Sequence, residues 1–171
     1  MSKKILVGYA TRYGSTKEVA ETIAGSVREA GFEVDVIQVR DIKSLSDYKA
    51  VILGAPLFMF HWHKDVLRFL SKHQLILLDF QVAIFALGPT HDPYDEQEWR
   101  DSWSQLNKEL EKYSWLKPVE IEMFGGKYDP TKLKFPLKMM AGSVPASDIR
   151  DQEAIQAWAK KLTVKLKKSH S

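Results

Sequence analysis

The sequence predicts an α/β fold: a doubly wound, five-stranded parallel sheet with helices on both faces. Three observations predict it. Apolar runs of strand length alternate with stretches of helical periodicity along the chain. The central runs, residues 5–8, 50–54 and 82–87, are continuously apolar, as expected of strands covered on both faces. Each run then opens into a loop of unusual composition, and in open α/β sheets ligands bind where strands end. A length of 171 residues suits one domain with a full core, so a single domain over residues 1–171 is expected.

The first strand, Ile5, Leu6 and Val7, leads through Thr11, Arg12, Tyr13, Gly14, Ser15 and Thr16 into a helix. Ser15 and Glu18 are spaced as a capping box. Val19, Ile23 and Val27 give the helix one apolar face, and Gly31 is its stop signal. A helix start presents unpaired N–H groups and partial positive charge. Thr11, Ser15 and Thr16 add hydroxyl donors, and Gly14 admits close backbone approach. The expectation is a phosphate cradle; the plainer alternative is an ordinary capped helix. Neither G-x-G-x-x-G nor G-x-x-x-x-G-K-[ST] is present at this turn, which argues against a dinucleotide fingerprint and a P-loop.

The remaining elements follow in order. Residues 32–37 alternate as a second strand, and residues 41–48 read as an irregular connection. The third strand, residues 50–54, runs into Ala55, Pro56, Leu57, Phe58, Met59, Phe60, His61, Trp62 and His63. Loops are normally polar. A planar apolar ring would bury these side chains; packing under a neighbouring loop or against a second copy is the alternative. One of the two His could also cap the helix that follows, residues 64–72, with Val66, Phe69 and Leu70 inward. Residues 75–78 are an apolar connection or the packed end of that helix. The fourth strand ends at Leu87 and passes into Gly88, Pro89 and Thr90 at the same sheet edge. Residues 96–111 read as a helix with Trp99, Trp103, Leu106 and Leu110 on one side. The last strand is residues 119–124, and residues 151–168 form a final helix with Ile155, Trp158 and Leu162 inward.

Residues 127–145 interrupt the alternation, too long for a turn. Lys127, Lys132, Lys134 and Lys138 interleave with Leu133, Phe135, Leu137, Met139 and Met140, so a helix here would carry Lys on one side and apolar residues on the other. Such a surface suits a flat apolar substrate with carboxylates or an anionic membrane; the alternative packs the apolar side on the body. On the first reading these Lys serve the substrate or acceptor, and replacing Lys132, Lys134 and Lys138 leaves cofactor affinity unchanged.

Hydrophobic residues make up 44% and charged residues 27%, an ordinary globular composition. No secretory leader and no membrane-spanning run is seen, so a cytoplasmic protein is expected. Without Cys there is no disulfide framework, thiolate metal site or Cys nucleophile, and no metal is expected. The net charge is +3, concentrated in residues 127–138 and in Lys160, Lys161, Lys165, Lys167 and Lys168. Those tail Lys read as a solvated helix end or as an attraction to anionic lipid or an acidic partner. No nucleic-acid partner is expected.

The loop Thr11-Arg12-Tyr13-Gly14-Ser15-Thr16 resembles the T-x-T-G-x-T phosphate loop of flavodoxins, with Tyr13 in place of the third-position Thr. That resemblance implies FMN as cofactor and the strand order 2-1-3-4-5. It places Thr11 to Thr16 on the phosphate, and Pro56 to Trp62 with Leu87 to Thr90 beside the ring. A response-regulator receiver shares the fold but needs acidic residues at strand ends, where this chain has Tyr9-Ala10 and Gly54-Ala55. Within the flavodoxin group, residues 55–63, the basic-apolar residues 124–142 and the start of the last helix are similar to the oxygen-independent protoporphyrinogen dehydrogenases. Membership there implies oxidation of a porphyrinogen-like substrate, with electrons passed toward quinone or a redox protein, and peripheral membrane contact. Phe60 stands where the group has a Gly beside the flavin. A non-Gly residue resists φ > 0 by roughly 1 kcal/mol or more, which argues against a stabilised one-electron state. No side chain stands out as an acid–base catalyst; His61 is the best candidate. The rivals are a non-enzymatic FMN electron carrier, which an acidic docking face would favour, and a flavin-free scaffold on the same fold.

Overall fold

A computed structural model describes residues 3–142 and 144–168. Its elements are β1 (Lys4–Tyr9), α1 (Ser15–Glu29), β2 (Val34–Gln38), β3 (Tyr48–Phe58), β4 (His61–Trp62), α2 (Lys64–Lys72), α3 (Gln74–Leu77), β5 (Gln81–Leu87), α4 (Glu96–Glu111), β6 (Glu120–Phe124), β7 (Lys127–Tyr128), α5 (Leu137–Met140), β8 (Ser147–Asp148) and α6 (Gln152–Lys168). The five long strands are parallel in the order β2-β1-β3-β5-β6. With the short arm β4 set aside, this is the order 2-1-3-4-5 that the sequence implies.

The continuously apolar strands are the central ones. Ile5, Leu6 and Val7 of β1 and Ile52 and Leu53 of β3 are fully buried. Alternate residues feed two cores. Ile5, Val7, Ile52 and Phe85 pack with α1 and α6, while Leu6, Leu53 and Ile84 pack with α2 and α4. Gly54 allows this layering at one tight point: a Cβ there would lie 1.9 Å from the Phe85 ring.

Several local expectations change. The capping box does not form: Gly14, at φ 97°, is the N-cap of α1 and Ser15 is already helical. The loop after β3 is in large part a hairpin, because β3 continues to Phe58 and β4 folds back on it (Leu57↔Trp62, Phe58↔His61). On α4 the buried face is Ser102, Leu106 and Glu109, with Trp99, Trp103 and Leu110 only partly covered. Residues 75–78 are not a packed helix end, since Leu75 and Leu78 are exposed and only Leu77 is buried. Among the described residues of 127–145 there is no long amphipathic helix. The two-residue ribbon β7–β8 closes their base, and α5 is a single turn. The C-terminal Lys are partly structural: Lys161 and Lys165 pair with Glu120 at 3.4 and 2.5 Å, and Lys167 lies over the Phe32 ring.

Candidate functional site

The carboxyl ends of β1, β3 and β5 bring three loops to one edge of the sheet. After β1, the Gly14 N–H donates to the Thr11 hydroxyl at 2.8 Å, which folds the loop back on itself in front of α1. The Thr16 hydroxyl is fully buried and has no hydrogen-bond partner. A buried hydroxyl without a partner costs roughly 1–3 kcal/mol, and this one sits in the first turn of α1. Arg12 reaches across to the next loop, its guanidinium 3.8 Å from the centre of the Phe58 ring and 5.8 Å from that of Tyr13.

The β3–β4 hairpin is the second wall. Met59 and Phe60 form its turn at φ 49° and 71°, the left-handed conformation that two-residue hairpin turns demand. Phe60 thus already stands at positive φ and carries there the strain expected of a non-Gly residue. Burial of Trp62 in the core and the bond from its indole N–H to Ala55 O at 2.9 Å anchor β4 and force the turn. For the same reason Trp62 faces the core and does not flank the cleft, and His61 points the other way from it. His61 Nδ1 lies 3.2 Å from Glu109 of α4. Burial pushes the Glu109 carboxyl up, but its bonds to Lys112 and His61 outweigh this and hold it below the usual value. His63 caps α2, its Nδ1 accepting the Asp65 N–H at 3.1 Å. Burial holds the His63 imidazole below its ordinary pKa, so it caps as the neutral ring.

Glu98 builds the third wall. Its carboxylate accepts the backbone N–H of Thr90 at 2.5 Å and, more loosely, that of His91. Among the described residues, His91, Asp95 and Glu98 bring oxygen or nitrogen atoms within 4.8 Å of one another. Asp95 is the N-cap of α4, so both carboxylates serve the backbone. Nothing in the pattern of residues 88–98 announced Glu98, because its role depends on a loop folding over it.

These walls enclose a cavity of about 250 Å³. Arg12, Tyr13, Ser15, Pro56, Leu57, Phe58, Met59, Leu87, Gly88 and Thr90 line it, together with Gly126, Lys127, Tyr128, Asp129 and Leu133. Thr11 and Gly14 are half-buried and stand outside the lining, Thr16 and Pro89 are buried, and Phe60 is exposed on the hairpin tip. The insertion is therefore a wall of the cleft, in keeping with the reading that it borders the site. Beyond Phe58, Thr90, Tyr128 and Leu133 the cleft continues into a second cavity of about 640 Å³. Its apolar side is Leu137, Met140 and Val144, and its polar side is His91, Asp92 and Glu98. A concavity of about 680 Å³ along the outer side of α4 takes only Tyr94 from the three loops. The insertion's Lys do not share one role. Lys132 donates to Tyr13 O at 3.1 Å, a contact with the first loop.

Known proteins resemble this chain in sequence and in fold. Protoporphyrinogen IX dehydrogenase [quinone] of Escherichia coli (strain K12) is 26% identical over 166 residues, covering 91% of this chain and 88% of that one. The protein of the same name from Leishmania major is 26% identical over 157 residues, covering 85% and 67%. An archaeal flavodoxin superposes with a TM-score of 0.60 at 15% identity over 96% of this chain and 99% of that one. Fusobacterium nucleatum flavodoxin, solved bound to flavin mononucleotide, gives 0.56 at 14% identity over 98% and 99%. The family model described as the flavodoxin domain matches residues 6–153, from β1 through all three loops to the start of α6, and the chain belongs to that family.

Proposed function

We propose that the protein is an FMN-dependent oxidoreductase of the protoporphyrinogen dehydrogenase type, passing electrons from a porphyrinogen-like substrate toward a quinone. One observation carries the reading. The three strand-end loops and the insertion converge on one cleft, in a chain that aligns over 91% of its length with a dehydrogenase of that name. The unpartnered Thr16 hydroxyl and the helix start fit a phosphate. Thr11, Arg12, Tyr13, Gly14, Ser15 and Thr16 would hold that end. Leu57, Phe58, Met59 and Gly88 to Thr90 would flank the ring. FMN supplies the electron transfer when bound. The chain orients the ring, excludes water with Phe58 and Leu133, and leaves the adjoining cavity for the substrate. That cavity suits a flat apolar ring system whose N–H groups can donate to Asp92 or Glu98.

The exposed rim of Met59, Phe60, Phe135, Met139 and Met140 supports peripheral contact with a membrane carrying quinone. It also favours a second reading, a carrier that docks a redox protein there. Among the described residues no helix is long and apolar enough to cross a membrane. Two measurements test the proposal: identification of the flavin released on denaturation, and oxidation of a porphyrinogen with quinone as acceptor. Stoichiometric FAD refutes the cofactor. Flavin reduction without porphyrinogen turnover leaves the carrier.

A further inference from the structure

The bond from Lys132 to Tyr13 O spans 119 positions of sequence and joins the insertion to the first loop. Residues 130–132 form a short 3-10 turn whose start is fixed by Asp129, which accepts both the Thr131 N–H and its hydroxyl. That turn aims Lys132 at the loop while Lys127, Tyr128, Asp129 and Leu133 line the cleft beside it. Of the other cations at this edge, Arg150 is held by Glu18 at 2.5 Å and Asp148 at 2.7 Å, and Arg12 lies over the Phe58 ring. Lys132 is bonded to a neutral carbonyl, one residue before the Gly14 that opens α1. A phosphate monoester carries between one and two negative charges at neutral pH. A flexible ammonium at the rim of its cradle gains more from that charge than from a carbonyl.

We infer that Lys132 is a ligand of the cofactor phosphate, supplied by the insertion, so that residues 127–133 close over FMN and not over a flavin lacking the phosphate. This rests on the FMN reading above. It couples the two ends of the site. The group that fills the cradle also fixes the wall shared by the cleft and the substrate cavity. By linkage, anything that stabilises the closed wall also tightens FMN.

The experiment uses the full chain stripped of flavin, titrated with FMN and with riboflavin, which has the ring without the phosphate. Lys132→Gln is expected to weaken FMN about tenfold and leave riboflavin unchanged, while Lys132→Arg keeps most of the FMN affinity. Lys134→Gln removes the same charge from an exposed neighbour and should change neither. Amide exchange of residues 127–133 should slow with FMN more than with riboflavin in the parent, and equally in Lys132→Gln. Equal loss for both flavins, or for neither, overturns the inference while the FMN reading stands. A parent that binds no FMN overturns both.

Discussion

The guanidinium of Arg12 lies 3.8 Å from the centre of the Phe58 ring, so the loop after β1 and the hairpin touch through a cation–π contact inside the cleft. Among the described residues Arg12 has no carboxylate partner that would neutralise it. Its backbone belongs to the cradle, so its charge stays beside whatever the cleft holds. A fixed cation there favours a reduced, more anionic flavin over the oxidised one. Arg12→Gln should therefore make the two-electron midpoint potential of bound FMN about 30 mV more negative, a tenfold loss in relative affinity for the reduced form. Spectroelectrochemical titration of parent and variant reads this directly, and an unchanged potential refutes it.

Thr16→Val tests the cradle through two opposite effects. Val matches Thr in shape and removes the buried, unpartnered hydroxyl. The flavin-free protein should become more stable, by roughly 1 kcal/mol. FMN affinity should fall about ten- to a hundredfold, because a charge-assisted hydrogen bond is lost. Thermal melts of the stripped protein and FMN titrations give both numbers. A variant that gains stability and keeps its affinity would place the phosphate elsewhere.

Phe60→Gly addresses the hairpin. Gly adopts the φ of 71° without steric cost, so the variant should be about 1 kcal/mol more stable in urea. Phe60 is also exposed, so little packing is lost with its ring. Destabilisation would show that Phe60 is held by contacts stronger than the strain.

That hairpin also marks where reading the sequence stops. The strands, α1 and the loop between them were legible because each rests on local signals: an apolar run, a 3.6-residue period, small residues at a helix start. Met59 and Phe60 carry no turn signal. Their conformation is imposed by Trp62, whose burial is a tertiary fact. Glu109 was hidden for the same reason, since a carboxylate on the inner face of α4 is tolerated only through Lys112 and His61. The ribbon Lys127–Tyr128 with Ser147–Asp148 pairs residues about twenty apart, and is tied down by the Ser147 hydroxyl on Thr90 O. Composition flagged the intervening segment as unusual, but only that pairing makes it a wall.

The last prediction concerns pH. Burial lowers the pKa of both His63 and His73 from the ordinary 6.5. Around His63, Asp65 opposes the shift, while Arg12, Lys64 and Arg40 add to it; around His73, Lys72 adds to it. A group whose folded pKa is depressed binds a proton more readily when unfolded. Stability is thus complete above 6.5 and falls as pH drops toward the folded values. The carboxylates do not confuse this window. Glu109, Glu120, Asp129 and Asp148 are all held below their ordinary values, so their contributions fade only in stronger acid. His63 has a further reason to resist protonation, because its Nδ1 must stay unprotonated to accept the Asp65 N–H. Losing that cap should cost about 0.5–2 kcal/mol. Urea unfolding at about pH 7.5 and about pH 5.5 should show the parent weaker at the lower pH. His63→Asn keeps a capping acceptor that does not titrate, so it should remove part of that difference and leave stability at the higher pH nearly unchanged. If the variant keeps the full pH dependence of the parent, His63 is not the group that reports acid, and His73 must carry it alone.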